Sequence, residues 1–139
     1  MRVAFGTDEE TALTAALVAH LSATGHTVVF SEVASWPDVG RSVADAVASG
    51  AAERGVVCCW TGTGVSIAAN KVAGVRAALC TDAETARGAR RWNDANVLAL
   101  GLRLTSDAVG CEIVDAFLGG ECDEGEGPLI ARLERRVDQ

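Results

Sequence analysis

The chain has no Cys-x-x-Cys pair: its five cysteines stand at positions 58, 59, 80, 111 and 122. That spacing argues against a structural zinc site or a disulfide framework, so reduced thiols and no metal are expected. There is no run of basic residues, and a formal charge of −7 makes nucleic acid an unexpected partner. No apolar run is long enough to span a membrane, and no charged-then-apolar leader precedes the first apolar segment, which points to a cytoplasmic location. Repeats, low-complexity tracts and linkers are also missing. Only two histidines occur, His20 on an apparent helix and His26 just before a strand. Neither falls near a candidate site, so acid–base chemistry must be sought in other side chains.

What is present describes one domain over residues 1–139. A hydrophobic share of 49% with 22% charged residues is ordinary for a folded soluble protein and supports a sizeable core. Val3–Gly6, Thr27–Phe30, Gly55–Cys59, Val75–Cys80 and Asn96–Leu100 read as short apolar strands. Between them run helices. The first is expected to be capped by Thr7 or Asp8, with Glu9 and Glu10 in its opening turn. Trp36-Pro37-Asp38 opens a second, with Val39, Val43 and Val47 on one stripe; Asp82 and Ser106 cap two more. Pro128 starts a terminal helix bearing Arg132, Arg135 and Arg136. Alternating strands and helices with continuously apolar strands predict a three-layer α/β sandwich: a five-stranded parallel sheet covered by helices on both faces.

One stretch carries the chemistry. Gly55-Val-Val-Cys-Cys-Trp-Thr-Gly-Thr-Gly-Val-Ser-Ile-Ala-Ala-Asn-Lys71 reads as a buried strand, a glycine loop and a helix opening near Val65. Cys58 and Cys59 point to opposite faces of the strand. Cys58, Cys80 and Cys111 fit a core role, whereas Cys59 ends its strand beside a helix N-terminus, where thiols are activated. The amides of Gly62, Gly64 and Val65 suit an oxyanion. Ile67 stands where a dinucleotide fingerprint needs its third glycine, and the P-loop lysine is missing, so no cofactor is expected. Asp8 follows the first strand at the edge where ligands bind in such sheets.

Val3-Ala-Phe-Gly-Thr-Asp8, Thr61-Gly-Thr-Gly-Val-Ser-Ile-Ala-Ala-Asn-Lys71, Asn93-Asp-Ala-Asn-Val-Leu98 and Asp115-Ala-Phe-Leu118 occur in the order in which the ribose-5-phosphate isomerase B family carries them. The chain resembles that family, which includes the galactose-6-phosphate isomerase subunits. The resemblance implies a flavodoxin-like (Rossmann-like) fold and metal-free interconversion of aldose and ketose sugars through a cis-enediolate. It also implies a homodimer, or a pair of dimers, with the active site at the subunit interface. On this chain it assigns the base to Cys59 and a neighbouring catalytic role to Thr61. The anion hole falls on Gly62, Gly64 and Val65, and contacts to substrate hydroxyls on Asp8 and Asn93, the latter from the second subunit. The branch with a glutamate base is excluded, because Val65 stands there.

The departures concern the substrate. Trp92 occupies the position of a histidine credited with opening the sugar ring. Glu124-Gly-Glu-Gly-Pro-Leu-Ile-Ala131 matches the segment that carries two phosphate-gripping arginines, and has neither in register. Two readings follow: an isomerase with a substrate other than ribose 5-phosphate, or a sugar-binding or inactive subunit on the same scaffold. Trp36, Trp60 and Trp92 offer an apolar wall to a free or deoxy sugar. Alternatively, Arg87, Arg90 or Arg91 keeps a phosphorylated one, with Arg90 the candidate contact.

Overall fold

The computed structural model describes residues 1–135; Arg136, expected on the terminal helix, lies with residues 137–139 outside the described residues. Strands β1 (Arg2–Thr7), β2 (Thr27–Val33), β3 (Arg54–Cys59), β4 (Ala77–Leu79) and β5 (Val97–Gly101) alternate with helices. These are α1 (Ala12–Ala23), α2 (Trp36–Ala48), α3 (Thr63–Asn70), α4 (Ala83–Asn93) and α5 (Asp107–Leu118). A 3₁₀ turn (Glu124–Glu126) then leads into α6 (Gly127–Glu134). All strands are parallel, in the order β2-β1-β3-β5-β4. The expected three-layer α/β sandwich is therefore what forms. The last two strands exchange places relative to the flavodoxin order: β5 lies beside β3 and the three-residue β4 is the edge.

Side-chain alternation divides the core into two layers. Val3, Phe5, Val56, Cys58, Leu98 and Leu100 face α1, α4 and α5, where they meet Leu13, Leu17, Ala86, Ile113 and Phe117. Ala4, Val57, Cys59, Val97 and Ala99 face α2 and α3, against Val39, Val43, Val65 and Ala69. Burying each such leucine or phenylalanine contributes about 1.5–3 kcal/mol. The α2/α3 side of the sheet is made of smaller residues, so these helices approach more closely. A Cβ on Gly6 would lie 2.6 Å from Val39 Cγ1, and one on Gly55 2.6 Å from Val43 Cγ1. Among the described residues no helix is long and apolar enough to cross a membrane.

Several local expectations are corrected. α1 is capped by Thr11, whose hydroxyl accepts from the Thr14 amide while Thr14 accepts from the Thr11 amide. Glu9 and Glu10 therefore precede the helix, and Asp8 is not its cap. The Thr7 hydroxyl explains the delay: it donates to Glu9 O at 2.7 Å and accepts from the Glu9 amide, closing a turn before a helix can begin. β4 is shorter than the apolar run Val75–Cys80: the Arg76 amide donates to the Asn96 side chain at 2.8 Å, and Asn70 covers both backbone groups of Ala77 on the outer edge. α3 opens at Thr63, two residues earlier than expected.

α2 and α3 touch through Gly40. A Cβ there would sit 2.7 Å from Ala68 Cβ and 2.9 Å from the Val65 carbonyl oxygen. Gly40→Ala is expected to destabilise the fold by about 1–3 kcal/mol, because the contact is with backbone that cannot swing away. Urea unfolding monitored by circular dichroism checks this; an unchanged midpoint would refute the close packing.

Candidate active site

The chain leaves β1 for β2 on one side, then returns across β1 to place β3 on the other, so the strand order reverses between β1 and β3. That is the part of the carboxyl edge where such sheets place their ligands. Asp8, just past β1, and Cys59, the last residue of β3, border it, and the Asp8 amide donates to Cys58 O at 3.2 Å. Asp8 is partly exposed, and its carboxylate is not spent on capping α1.

Beyond Cys59 the chain stays attached to β5. Cys59 pairs with Gly101, the Leu102 amide donates to Cys59 O at 2.9 Å, and the Arg103 amide donates to Trp60 O at 2.9 Å. Gly101 has no Cβ, and one would lie 2.8 Å from Thr61 O, so the loop can rest on the strand end. Gly62 then turns the chain with φ 76°, a left-handed conformation that glycine adopts without penalty. A Cβ there would also lie 2.5 Å from Leu79 Cδ1 and 2.9 Å from Leu100 and Gly101 backbone. The first turn of α3 closes with Ser66 N–H donating to Gly62 O. The amides of Thr63, Gly64 and Val65 precede that bond and have no intrahelical acceptor.

Cys59 lies on the α2/α3 face at 5% exposure, while Cys58 is wholly buried on the other face. Burial first, with Cys59 and Asp8 nearby, pushes the Cys58 thiol well above the ordinary thiol range. Burial likewise pushes Cys80 up to about 11. Both are inert core thiols. Cys111 is only partly buried on α5, at the margin of its cluster rather than inside it.

The structure thus brings Asp8, Cys59, Thr61, Gly62, Gly64 and Val65 to one edge. It does not bring Trp92 and Asn93 there. α4 returns antiparallel to the strands, so its 11 residues carry its C-terminus about 16 Å towards the opposite, amino edge. Trp92 covers Gly88 and is half exposed, and Asn93 is exposed beside it. Arg90 is a correction. It is 3% exposed and faces inward, its Nε donating to Gly120 O and its Nη1 to Asp94 Oδ1 and Ala95 O at 2.8 and 2.6 Å. This guanidinium ties α4 to the end of α5 and has no face left for a ligand. Arg87 and Arg91 are exposed and paired with Glu84 and Asp123.

Arg103 lies just past β5. Its amide is locked to Trp60, its side chain is exposed, and it makes no ion pair with the described residues. A cation just past a strand in a parallel sheet was the available signal; its adjacency to the loop depended on β5 pairing with β3. Both histidines lie elsewhere, His20 on the last turn of α1 bonded to Asp115 at 2.6 Å and His26 just before β2. Among the described residues no group of three or more His, Cys, Asp and Glu gathers as a metal site.

A doubly wound sheet with a thiol and a glycine loop at its switch point is the frame of an α/β domain that binds a small molecule at its carboxyl edge. The chain belongs to the Ribose/Galactose Isomerase family, whose profile matches residues 3–139. It is 41% identical over 143 residues to ribose-5-phosphate isomerase B of Escherichia coli K12, covering 99% of this chain and 92% of that protein. It is 40% identical over 99 residues to D-erythrulose-4-phosphate isomerase of Pectobacterium atrosepticum, covering 70% of this chain and 65% of that one. The type B ribose 5-phosphate isomerase of Trypanosoma cruzi superposes with a TM-score of 0.89 at 38% identity over 96% of each chain.

Proposed function

We propose that this chain interconverts the aldose and ketose forms of a small sugar phosphate, with Cys59 as the base. The observation that carries the reading is Cys59 ending β3 on the α2/α3 face, where α3 begins with three amides lacking intrahelical acceptors. A proton on the carbon next to a carbonyl is acidic only if the resulting enediolate oxygen is stabilised. Preorganised amides do this, each worth on the order of 3 kcal/mol. Cys59, as thiolate, takes the proton from the hydroxyl-bearing carbon; the electron pair moves into the carbon–carbon bond and the carbonyl oxygen becomes the enediolate. Returning the proton to the other carbon completes the exchange. Thr61, whose hydroxyl both donates and accepts, is suited to passing the oxygen-bound proton between the two oxygens. Asp8 orients a substrate hydroxyl.

Two features narrow the substrate. The chain's two histidines both lie away from the carboxyl edge, and Trp92 stands at the position of the ring-opening histidine, so a sugar already in open-chain form is favoured. A tetrulose 4-phosphate cannot close a ring, whereas ribose 5-phosphate is mostly cyclic. Arg103, exposed just past β5, supplies a cation for a phosphate at the carboxyl edge, whereas α6 with Arg132 lies towards the amino edge, where Glu134 pairs with Arg76. The site is completed by a second copy, since Asn93 and Cys59 lie at opposite edges of one chain; the active form is a homodimer or a pair of dimers.

Solvent-deuterium uptake at the carbon next to the carbonyl tests the chemistry. Exchange should be faster with D-erythrulose 4-phosphate than with D-ribose 5-phosphate and vanish in Cys59→Ala. Binding of either without any exchange would favour a sugar-binding or inactive subunit instead. For the interface, mixing Cys59→Ala with Asn93→Ala under subunit exchange should restore roughly a quarter of wild-type activity, because half the dimers then hold one intact site. No recovery despite mixed dimers would place both residues in one subunit's site. Arg103→Gln should raise KM roughly tenfold for the phosphorylated sugar while leaving free erythrulose unaffected; equal effects on both would remove the phosphate role.

A further inference from the structure

Trp36 meets the glycine loop. A Cβ on Gly64 would lie 2.8 Å from Trp36 Cε3 and 2.9 Å from Cδ2, so the benzo ring of the indole rests on the backbone of residue 64. Trp36 opens α2, which covers the same face of the sheet as Cys59. Trp60 follows Cys59 just past the end of β3 and is half exposed, and Trp92 lies at the far end of α4.

The backbone that carries the indole is held firmly. Pro37 fixes the backbone of the first turn, Ser35 Oγ donates to Asp38 Oδ2 at 2.7 Å, and the Val39 amide donates to Ser35 O at 2.9 Å. The other side of the indole is open, with 46% of the residue exposed. A half-bare aromatic ring beside unpaired amides pairs an apolar wall with an anion cradle. That combination matches a ligand with a C–H face and an oxygen-bearing edge, which is the chemistry of a carbohydrate.

We infer that Trp36 is a specificity-determining residue whose indole stacks on the carbon face of the bound sugar while its oxygens meet the α3 amides. The inference rests on the isomerase reading for its substrate class, but its test does not need turnover. In the Cys59→Ala chain carrying Trp60→Phe and Trp92→Phe, Trp36 is the sole indole. Titration with D-erythrulose 4-phosphate should change its fluorescence saturably, at the concentration where calorimetry shows binding. In the otherwise wild-type enzyme, Trp36→Ala should raise KM roughly tenfold with kcat within about threefold, and Trp36→Phe should recover most of the loss. Fluorescence that ignores the sugar, or follows protein concentration alone, would overturn the inference and make the indole a subunit contact. A fall in kcat with KM unchanged would also overturn it. Absence of proton exchange in the wild-type enzyme would remove the isomerase reading and leave the fluorescence titration to decide on Trp36.

Discussion

The pairing of β3 with β5 is the constraint on which the site depends. The ladder continues past both strands, through the Leu102 amide to Cys59 O and the Arg103 amide to Trp60 O, so the chain after the thiol is held to its neighbour. Gly101 lets Thr61 rest on the strand end, and Gly62 reverses the backbone so that α3 starts beside Cys59. Neither glycine is replaceable by a side chain without moving backbone. The loop is consequently a fixed structure before any ligand arrives, which is the condition for amides to stabilise a developing oxyanion without reorganisation.

The two faces of the sheet serve different purposes. Large residues such as Phe5, Leu98 and Leu100 fill the layer under α1, α4 and α5. The other face is lined by Ala4, Gly6, Gly55 and Ala99, which lets α2 and α3 approach. Gly40 brings α2 onto α3, and Trp36, at the head of α2, is thereby set against Gly64. Small residues deep in the sheet thus position aromatic and amide groups at its edge. Close packing transmits such placement because interiors leave few voids to absorb a shift.

Much of this was legible from residues alone. The valines of α2, the caps Asp82 and Ser106, and the thiol-glycine-helix order of residues 59–65 each have a local signature. The start of α1 did not, because the Thr7 hydroxyl competes with Asp8 for the turn, and two threonines then form the cap together. The edge strand β4 is shorter than its apolar run suggests, since the Arg76 amide before it goes to the Asn96 side chain. Arg90 carried the composition of an exposed helix arginine, and only its inward placement among Gly120, Asp94 and Ala95 shows it to be structural.

The sequence by itself determined the fold class, the strand–loop–helix unit and the pairing of a thiol with an anion cradle, because those depend on spacing within one segment. Tertiary structure decided the strand order, and with it which distant residues share the edge. It brought Arg103 and Trp36 to the loop, sent Trp92 and Asn93 to the opposite edge, and buried Arg90. Strand order depends on which side of β3 the later crossovers close, a choice made by packing across the whole sheet and not written in any local run of residues. For the same reason the central stretch alone sets a thiol beside unpaired amides, and only its surroundings decide which other residues share that edge.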